Sequence, residues 1–434
     1  MVTRMSNQNE VKVQLEPEEL PKHWYNILPD LPHPLPPPTG PGLANLPKIF
    51  PKALLGQEMS QDRYVPIPDE LRDLFLYIGR PTPLYRAKRL EAKLNTPAEI
   101  YFKREDGSPT GSHKLNTALA QAYYSKKEGY VGQTTETGAG QWGSALALAD
   151  LLNDMKCTVF MCRSSYLSKP YRRLVMQMYG AEVHPSPSNR TKSGRAYYDK
   201  DQNHPGSLGL AISEAIEVAL ENEGKISYSL GSVLNHVMLH QSIIGQEAKK
   251  QFQKIGKVPY ALIGCAGGGS NFSGFTFPFL PDKFSKKIDT RIIAVGASEI
   301  PKFSKPAPYV YDYGDEAGFT PQLKMLSLGS KFIPPSIYSG GLRYHGYAPI
   351  LSMLFMEKVI EGRDYSQEYA FECARLFAET EGLIMAPETA HAAAAAIDEA
   401  KEAKKHNEKR VIAFNYSGHG LLDLEGYQRV LKLG

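Results

Sequence analysis

One lysine stands at the start of a predicted helix, where its amine could act as a nucleophile. Lys114 follows the strand-like run EIYFK and the loop GSPTGSH, and an alanine-rich helix begins at it. The amino end of a helix carries partial positive charge, which favours the neutral amine over the ammonium form. A neutral amine attacks aldehydes, so Lys114 is a candidate for a covalent bond to a carbonyl compound. The alternative is an ordinary solvated lysine.

A run of three glycines after an apolar strand could hold a phosphate group. Gly267, Gly268 and Gly269 follow the run YALIGCA, and Ser270 and Asn271 come next, at the turn into another helix. Glycines allow backbone N–H groups to converge on an anion. The loop contains no lysine or arginine, so it fits a phosphate monoester better than a nucleoside triphosphate with its metal. The alternative is a tight turn that needs glycine for packing.

The stretch TTETGAGQWG suggests a carboxylate-binding loop beside a residue for proton transfer. Gly138, Gly140 and Gly143 match the pattern G-x-G-x-x-G, but the residues before them do not form an apolar strand. The next strand, CTVFMC, is followed by Arg163 rather than an acid, so an NADP-dependent oxidoreductase remains an alternative. In the other interpretation, N–H groups at this helix start bind a substrate carboxylate, and Glu136 is a general acid or base.

Two further motifs lie near the end of the chain. RVIAFNYSGHG places Ser417 where a strand ends, and its hydroxyl could meet a heterocyclic nitrogen, although a turn serine has the same pattern. EGLIMAPETAHA begins a helix at Pro387 with Glu388 in its first turn. Helix capping alone accounts for a carboxylate at that position.

The elements that must position these motifs alternate between strands and helices. Strands are predicted at 99–103, 157–162, 182–185, 226–230, 260–265, 291–297 and 410–416. Helices are predicted at 114–128, 141–153, 169–179, 207–222, 236–255, 347–361, 368–380, 387–405 and 421–431. This alternation predicts an α/β fold with mostly parallel sheets covered by helices on both faces. Ligands in such folds bind beyond the carboxyl ends of the strands, where these motifs lie.

Composition excludes several classes of protein. The 434 residues carry 50 Lys and Arg against 46 Asp and Glu, and a net charge of +4 gives no case for nucleic-acid binding. The uncharged stretch 258–281 is too rich in glycine and proline to be read as a membrane span. Four cysteines without a CxxC pair predict neither a disulfide nor a zinc framework. Because the N-terminus lacks the apolar run of a secretory signal, we expect a cytoplasmic protein.

The N-terminal segment differs from the rest of the chain. Eleven of the 32 prolines fall between Pro17 and Pro51, which excludes a long helix or a central strand. Apolar residues such as Trp24 and Leu28 could anchor it. We therefore predict an arm, residues 1–55, that lies over the main body or a neighbouring subunit.

Together, the motifs resemble one known family. HKLN, TETGAGQWG, GCAGGGSN, SGGLRYHGYAP, EGLIMAPETAHA and NYSGHG occur in the order found in tryptophan synthase β chains, which are fold-type II pyridoxal-phosphate enzymes. The resemblance covers residues 75–430, and the arm resembles the divergent branch with an extended N-terminus. It implies two three-layer α/β domains with the cofactor between them. The larger, cofactor-binding domain would be 56–128 plus 226–434, and the smaller, with a mobile lobe that closes over the substrate, 129–225.

The resemblance also implies a role for each motif. Lys114 would bond to the cofactor aldehyde and remove the substrate's α proton, while Glu136 would assist loss of the β substituent. The other implied cofactor contacts are His113, Asn116, Ser207, Gly267, Gly268, Gly269, Ser270, Asn271, Glu388 and Ser417. The implied substrate contacts are Thr137, Gly138, Ala139, Gly140, Gln141, Trp142 and Arg343. No metal site is expected from side chains, although the family implies a monovalent cation, K+ or Na+.

The implied activity is the lyase reaction that joins indole to L-serine to give L-tryptophan. A serine at the pyridine nitrogen, unlike an aspartate, does not hold a proton there, which suits β-replacement. Arg343 stands where the common form has an aspartate, and it could bind the phosphate of O-phosphoserine or pair with Glu136. The implied partners are a second copy in a homodimer and an α chain. A serine or threonine deaminase of the same class remains an alternative.

Overall fold

Two main sheets organise the structure, a computed structural model that describes residues 11–434. Seven strands form the larger sheet, in the order Lys12–Val13, Leu84–Arg86, Glu99–Arg104, Val411–Tyr416, Ala261–Cys265, Arg291–Ala297 and Glu361–Tyr365. From Glu99–Arg104 onward neighbouring strands are parallel, and the first two strands add antiparallel at one edge.

The smaller sheet consists of four parallel strands. Their order is Glu182–Ser186, Lys156–Cys162, Gly132–Thr137 and Ile226–Tyr228. Two short antiparallel pairs lie outside both sheets: His23–Tyr25 with Tyr64–Pro66, and Tyr309–Tyr313 with Gln322–Leu326. The parallel order confirms the predicted α/β class with mostly parallel sheets.

Helices connect the parallel strands and cover the sheets. The α-helices are Leu46–Ile49, Lys52–Met59, Asp69–Tyr77, Lys88–Leu94, Leu115–Lys127, Gln141–Leu152, Arg163–Ser168, Pro170–Met178, Lys192–Tyr198, Leu208–Glu221, Asn235–Lys254, Ser270–Thr276, Leu280–Phe284, Pro349–Met356, Gln367–Glu381, Pro387–His406 and Leu424–Leu431. The predicted helix 347–361 is too long. It ends at Met356 because the chain turns at Lys358, which has a φ of 59°, and then enters the strand Glu361–Tyr365.

One strand that carries site residues was not predicted. Gly132–Thr137 is largely polar, which argues against a strand in the sequence, yet all of its residues are buried. Several of its polar groups are paired inside the protein: Gln133 donates to Ser125 at 2.9 Å, and Thr135 donates to the Ser229 carbonyl. Because these hydrogen bonds replace apolar contacts, hydropathy gives no sign of the strand.

The strand Ile226–Tyr228 corrects the predicted domain boundary. It pairs with Gly132–Thr137, with Gly132 opposite Ile226 and Thr134 opposite Tyr228. A boundary after residue 225 would assign two hydrogen-bonded strands to different domains. The smaller sheet therefore extends through Tyr228, and the rest of the domain division stays a prediction.

The described part of the proline-rich arm lies on the body of its own chain. Trp24 is fully buried, and its ring centroid is 4.6 Å from that of His240. The backbone N–H of Tyr25 donates to Ser242 Oγ at 2.9 Å. The arm contains only short helices and short strands, as its prolines require. Residues 1–10 belong to the predicted arm and to the N-terminal segment that lacks the apolar run of a secretory signal, and they lie outside the described residues.

Several exclusions can be stated for residues 11–434. No helix in this range is long and apolar enough to cross a membrane. No three His, Cys, Asp or Glu side chains in the same range are arranged to hold a metal ion. Cys157, Cys162, Cys265 and Cys373 are buried and free.

Candidate active site

The predicted motifs meet in one cavity, at the carboxyl ends of strands from both sheets. Strands 99–104, 261–265 and 411–416 of the larger sheet lead to the lysine, glycine and serine motifs, and strand 132–137 of the smaller sheet leads to the loop opposite. The predicted residues that line the cavity are His113, Lys114, Glu136, Thr137, Gly138, Ala139, Gln141, Trp142, Gly267, Gly268, Gly269, Ser270, Asn271, Glu388 and Ser417.

The Lys114 amine lies inside this cavity. Within residues 11–434 it has no hydrogen-bond partner. Burial lowers the pKa of Lys114 below its ordinary value, although the negative charges of Glu388 and Glu136 oppose that shift. A buried amine that favours its neutral form and is not engaged elsewhere is suited to attack an aldehyde.

Residues 267–271, which we call the phosphate cradle, form one wall of the cavity. A Cβ atom on Gly267 would lie 1.9 Å from the Gly341 carbonyl oxygen, and one on Gly268 would lie 2.6 Å from Ser232 Oγ. Gly269 has a φ of +127°, which side chains rarely adopt. Only glycines therefore fit here, and they leave the backbone N–H groups open to an anion.

His113 and Ser417 join the lysine motif to the end of the chain. The backbone N–H of His113 donates to the Ser417 carbonyl at 3.0 Å, and its ring nitrogen Nε2 lies 3.3 Å from Ser270 Oγ. Burial lowers the pKa of His113 to about 3, so the ring is neutral beside the cradle. Ser417 Oγ lies 2.7 Å from Thr389 Oγ1, which leaves a neutral hydroxyl network at this end of the cavity.

Glu136 faces the cavity from the smaller sheet. It is 3% exposed, and burial raises the pKa of its carboxyl to about 8. Tyr228 donates a hydrogen bond of 2.6 Å to its Oε2 atom. A carboxyl with a pKa in this range can give and take protons at neutral pH.

Glu388 connects the two sides of the cavity. One of its oxygens accepts from Gln141 Nε2 at 3.0 Å, and the other accepts from the Gly341 backbone N–H at 2.6 Å. Trp142, next to Gln141, donates to Thr135 Oγ1 at 2.7 Å. Glu388 therefore holds the 138–142 loop in place, besides lining the cavity.

Asn116 is not part of the cavity lining, in contrast to the prediction. Its side chain accepts from Arg80 at 2.8 Å and donates to Glu105 and Gln241. Two residues along a helix rotate a side chain by about 200°, so Asn116 points away from the side that Lys114 occupies. It supports the buried ion pair between Arg80 and Glu105.

Ser207 and Arg343 are also absent from the main cavity. Ser207 caps the helix Leu208–Glu221 by accepting from the Leu210 N–H at 3.0 Å. Arg343 donates to the Pro334 carbonyl at 3.3 Å and has no ion pair with Glu136 among the described residues. Both line a smaller cavity that shares three wall residues with the main one: Gly138, Leu208 and Gly340.

Gly140 is the remaining predicted residue outside the lining. It precedes the helix Gln141–Leu152 with a φ of 99°, and a Cβ there would lie 2.7 Å from Arg172 Cβ. Its glycine is therefore explained by backbone geometry and packing rather than by a contact with the cavity.

The sequence does not predict several other residues that line the cavity. Tyr344 lies next to Arg343 in the motif SGGLRYHGYAP, and Gly340 and Gly341 belong to the same motif, so this motif offered a signal. Ser112, Gly231 and Ser232 carry no distinctive pattern. Tyr344 also borders a second, apolar cavity, whose wall includes Phe50, Leu55, Ile212, Tyr228, Leu230 and Val233.

The fold, the unpaired lysine and the glycine cradle define the class of pyridoxal-phosphate enzymes of fold type II. In agreement, the family model described as pyridoxal-phosphate dependent enzyme matches residues 76–418. The solved structure of the processed form of threonine deaminase isoform 2 from Solanum lycopersicum has a similar fold. Its TM-score is 0.60, with 18% identity over 85% of this chain and 94% of that one.

Closer relatives define the family. The chain is 54% identical over 425 residues to tryptophan synthase beta chain 2 of Methanothermobacter thermautotrophicus, covering 97% of this chain and 99% of the relative. It is 54% identical over 424 residues to the tryptophan synthase beta chain of Pyrococcus horikoshii, covering 96% and 92%. The chain belongs to the family of tryptophan synthase β chains, which confirms the resemblance and leaves the NADP alternative without support.

The cavity fits the cofactor of this family. A lysine amine without a hydrogen-bond partner in residues 11–434, a cradle whose glycines leave no room for a Cβ, and a neutral serine hydroxyl are three separate features that pyridoxal phosphate would use. They belong to different motifs, 114, 267–271 and 417, and converge only in the folded chain.

Proposed function

We propose that the chain catalyses the β-replacement of a tryptophan synthase β chain, in which L-serine and indole give L-tryptophan and water. The observation that carries the proposal is the position of Lys114 and Glu136 on the walls of one cavity. One is an amine that burial biases toward its neutral form, and the other is a carboxyl whose pKa burial raises to about 8. The relatives described above support the same activity.

Residues of the larger sheet would hold the cofactor. When bound, pyridoxal phosphate supplies an aldehyde and an electron-withdrawing ring that stabilises negative charge at the substrate Cα. The cradle 267–271 would bind its phosphate through backbone N–H groups, and Ser417 would donate to or accept from the ring nitrogen. Lys114 would bond to the aldehyde and, once the substrate has displaced it, take the proton from the substrate Cα.

Residues of the smaller sheet would hold the amino acid. Backbone N–H groups of 138–141 would bind its carboxylate, and Glu388 would keep this loop in place through Gln141. Glu136, while protonated, would donate its proton to the leaving oxygen. The surrounding buried residues would exclude water, which prevents hydrolysis of the reactive amino acid.

The apolar cavity would receive indole. Tyr344 borders both cavities, and Tyr228 reaches from the apolar cavity to the Glu136 carboxyl. Transfer of a flat, uncharged aromatic molecule from water to such an apolar wall is favourable.

The proposal also concerns which amino acid is the donor and which chains are partners. Arg343 lies in the smaller cavity beside Gly138, where it could reach a phosphate on the substrate oxygen, so O-phosphoserine is a second candidate donor. The designation of the relatives as β chains supports an α chain as partner. The resemblance implies a homodimer and a role in amino-acid biosynthesis, and a cytoplasmic location is a further part of the proposal.

A spectral titration tests the activity. The purified chain with pyridoxal phosphate is given L-serine, O-phosphoserine or L-threonine, with and without indole, and Lys114→Ala serves as the control. We expect a change in cofactor absorbance with the donor, and L-tryptophan only when indole is present. Release of pyruvate or 2-oxobutyrate that indole leaves unchanged, without tryptophan, would identify a deaminase instead.

A further inference from the structure

A buried lysine without a role in the proposed reaction lies behind the phosphate cradle. Lys302 is 1% exposed. Its Nζ atom donates to the Gly267 carbonyl oxygen at 3.1 Å and to the Tyr344 carbonyl oxygen at 2.6 Å. The same atom lies 4.0 Å from the centre of the Tyr347 ring. Two backbone oxygens and one aromatic face therefore converge on a single nitrogen.

These neighbours stabilise a positive charge on Lys302 without an ion pair. No carboxylate within residues 11–434 forms a salt bridge with Lys302; Asp364 is a nearby acid, but its Oδ2 accepts from the backbone N–H groups of Phe303 and Ser304. Burial lowers the pKa of Lys302 to about 7, and Asp364 opposes this shift. Carbonyl dipoles and the face of an aromatic ring both favour the ammonium form.

The lysine fixes the orientation of the cradle. Because a peptide unit is planar and trans, its carbonyl and its N–H point in opposite directions. Lys302 holds the Gly267 carbonyl on the outer side, so the N–H of Gly268 points toward the cavity that Gly268 lines. The next carbonyl, that of Gly268, accepts from the Ala348 N–H at 2.7 Å. Two successive peptide units of the cradle are thus held from behind.

Backbone carbonyl oxygens that converge on one point are a usual environment for a monovalent cation. Here that point is filled by an ammonium group attached to the chain. We propose that Lys302 is a built-in monovalent cation, which positions the phosphate cradle and takes the place of the exchangeable K+ or Na+ that the resemblance implies. The inference rests on the proposed function only in so far as the cradle holds the cofactor phosphate.

The test compares cofactor binding in different salts. The full chain and its Lys302→Ala variant are titrated with pyridoxal phosphate by equilibrium dialysis, in choline, sodium, potassium or ammonium chloride at one ionic strength. Lys305→Ala is the matched control, because Lys305 is an exposed lysine three positions away. Tryptophan formation is measured in the same buffers.

We expect the unmodified chain and Lys305→Ala to bind the cofactor equally well in all four salts. Lys302→Ala should lose about 10- to 100-fold in cofactor affinity in choline, the usual cost of hydrogen bonds to a charged group. Ammonium or potassium ions should restore much of this loss by occupying the vacated position, and sodium should restore less.

Three results would overturn the inference. These are a severalfold gain in cofactor affinity of the unmodified chain with K+ or Na+, an unchanged affinity of Lys302→Ala, or a folded Lys302→Ala whose lost affinity no cation restores. The salt series on the unmodified chain needs no variant, so it decides the matter even where Lys302→Ala does not fold. A chain that binds the cofactor normally but makes no tryptophan would instead contradict the proposed function.

Discussion

Tyr228 donates a hydrogen bond of 2.6 Å to Glu136 from the neighbouring strand of the smaller sheet. Burial raises the pKa of Glu136 to about 8, and the tyrosine hydroxyl opposes this effect because it stabilises the carboxylate. The smaller sheet therefore carries both the carboxyl proposed for proton transfer and the group that adjusts its protonation.

Removal of this hydroxyl should move the pH dependence of the reaction. In Tyr228→Phe the carboxylate loses a donor, so the pKa of Glu136 rises further, and the alkaline limb of the pH profile of kcat/KM shifts to higher pH. The control is Tyr101→Phe, which removes a similar bond, of 3.0 Å, to Glu99, a residue outside the cavity lining. Identical profiles for Tyr228→Phe and the unmodified chain would contradict the role given to Glu136.

A methyl group at Gly267 should abolish tight cofactor binding. Its Cβ would lie 1.9 Å from the Gly341 oxygen, so the cradle and the 340–342 turn cannot both keep their positions. We expect Gly267→Ala to lose at least about tenfold in affinity for pyridoxal phosphate, measured by dialysis. Gly56→Ala, at a helical position with nothing near the new Cβ, should bind the cofactor normally. Normal binding by Gly267→Ala would show that the cradle does not hold the phosphate.

The buried carboxylate of Asp423 should contribute to stability in a pH-dependent way. It accepts from Lys169 and Arg172, each at 2.7 Å. Burial alone would raise the pKa of Asp423, but these two cations hold it below its ordinary value. The stabilisation is therefore complete above the pKa of the unfolded chain, near pH 4, and is lost as the pH falls through the lower pKa of the folded chain.

Asp423→Asn tests this contribution by denaturant unfolding. At pH 7 we expect it to lower the free energy of unfolding by about 3 kcal/mol, because the buried Arg172 and the partly buried Lys169 lose their partner. The difference from the unmodified chain should shrink as the pH falls below 4. Glu425→Gln, which breaks the exposed pair with Arg429, should cost less than about 0.5 kcal/mol. A cost for Asp423→Asn that is no larger would refute the argument.

Arg343 should decide whether a phosphorylated donor is used. Its guanidinium lies in the cavity next to Gly138 and carries no ion pair there among the described residues. If it binds the phosphate of O-phosphoserine, Arg343→Ala should lose about tenfold or more in kcat/KM for that donor and little for L-serine. Arg195→Ala removes an exposed arginine and should change neither value. Comparable values for the two donors, unaltered in Arg343→Ala, would exclude this role.

The sequence predicts the elements around the site well where hydrophobic patterning is clear. Arg291–Ala297 is buried throughout except at its first residue, and the apolar run that predicts it has the same bounds. The motifs at 114, 267–271 and 417 each follow such a strand, so the rule for parallel sheets brings them to one edge. Because the site residues lie at the ends of parallel strands, the sequence alone predicts that they come together.

What the sequence does not predict depends on contacts between distant residues. Gly132–Thr137 is a buried strand in which several polar side chains, such as Gln133 and Thr135, find partners on other elements, and hydropathy does not register such partners. Asn116 belongs to a known motif, but only the rotation of its helix decides that it faces Arg80. Lys302 donates to the carbonyl oxygens of Gly267 and Tyr344 because tertiary packing brings them together, and the residues next to Lys302 in the sequence do not indicate these contacts.

Reduction of the native protein tests the central claim most directly. The chain with bound pyridoxal phosphate is treated with borohydride, digested and analysed by mass spectrometry, with Lys114→Ala treated in parallel. The account predicts a phosphopyridoxyl group on Lys114 and no specific label in the variant. A label on another lysine such as Lys302, or none at all, would contradict it.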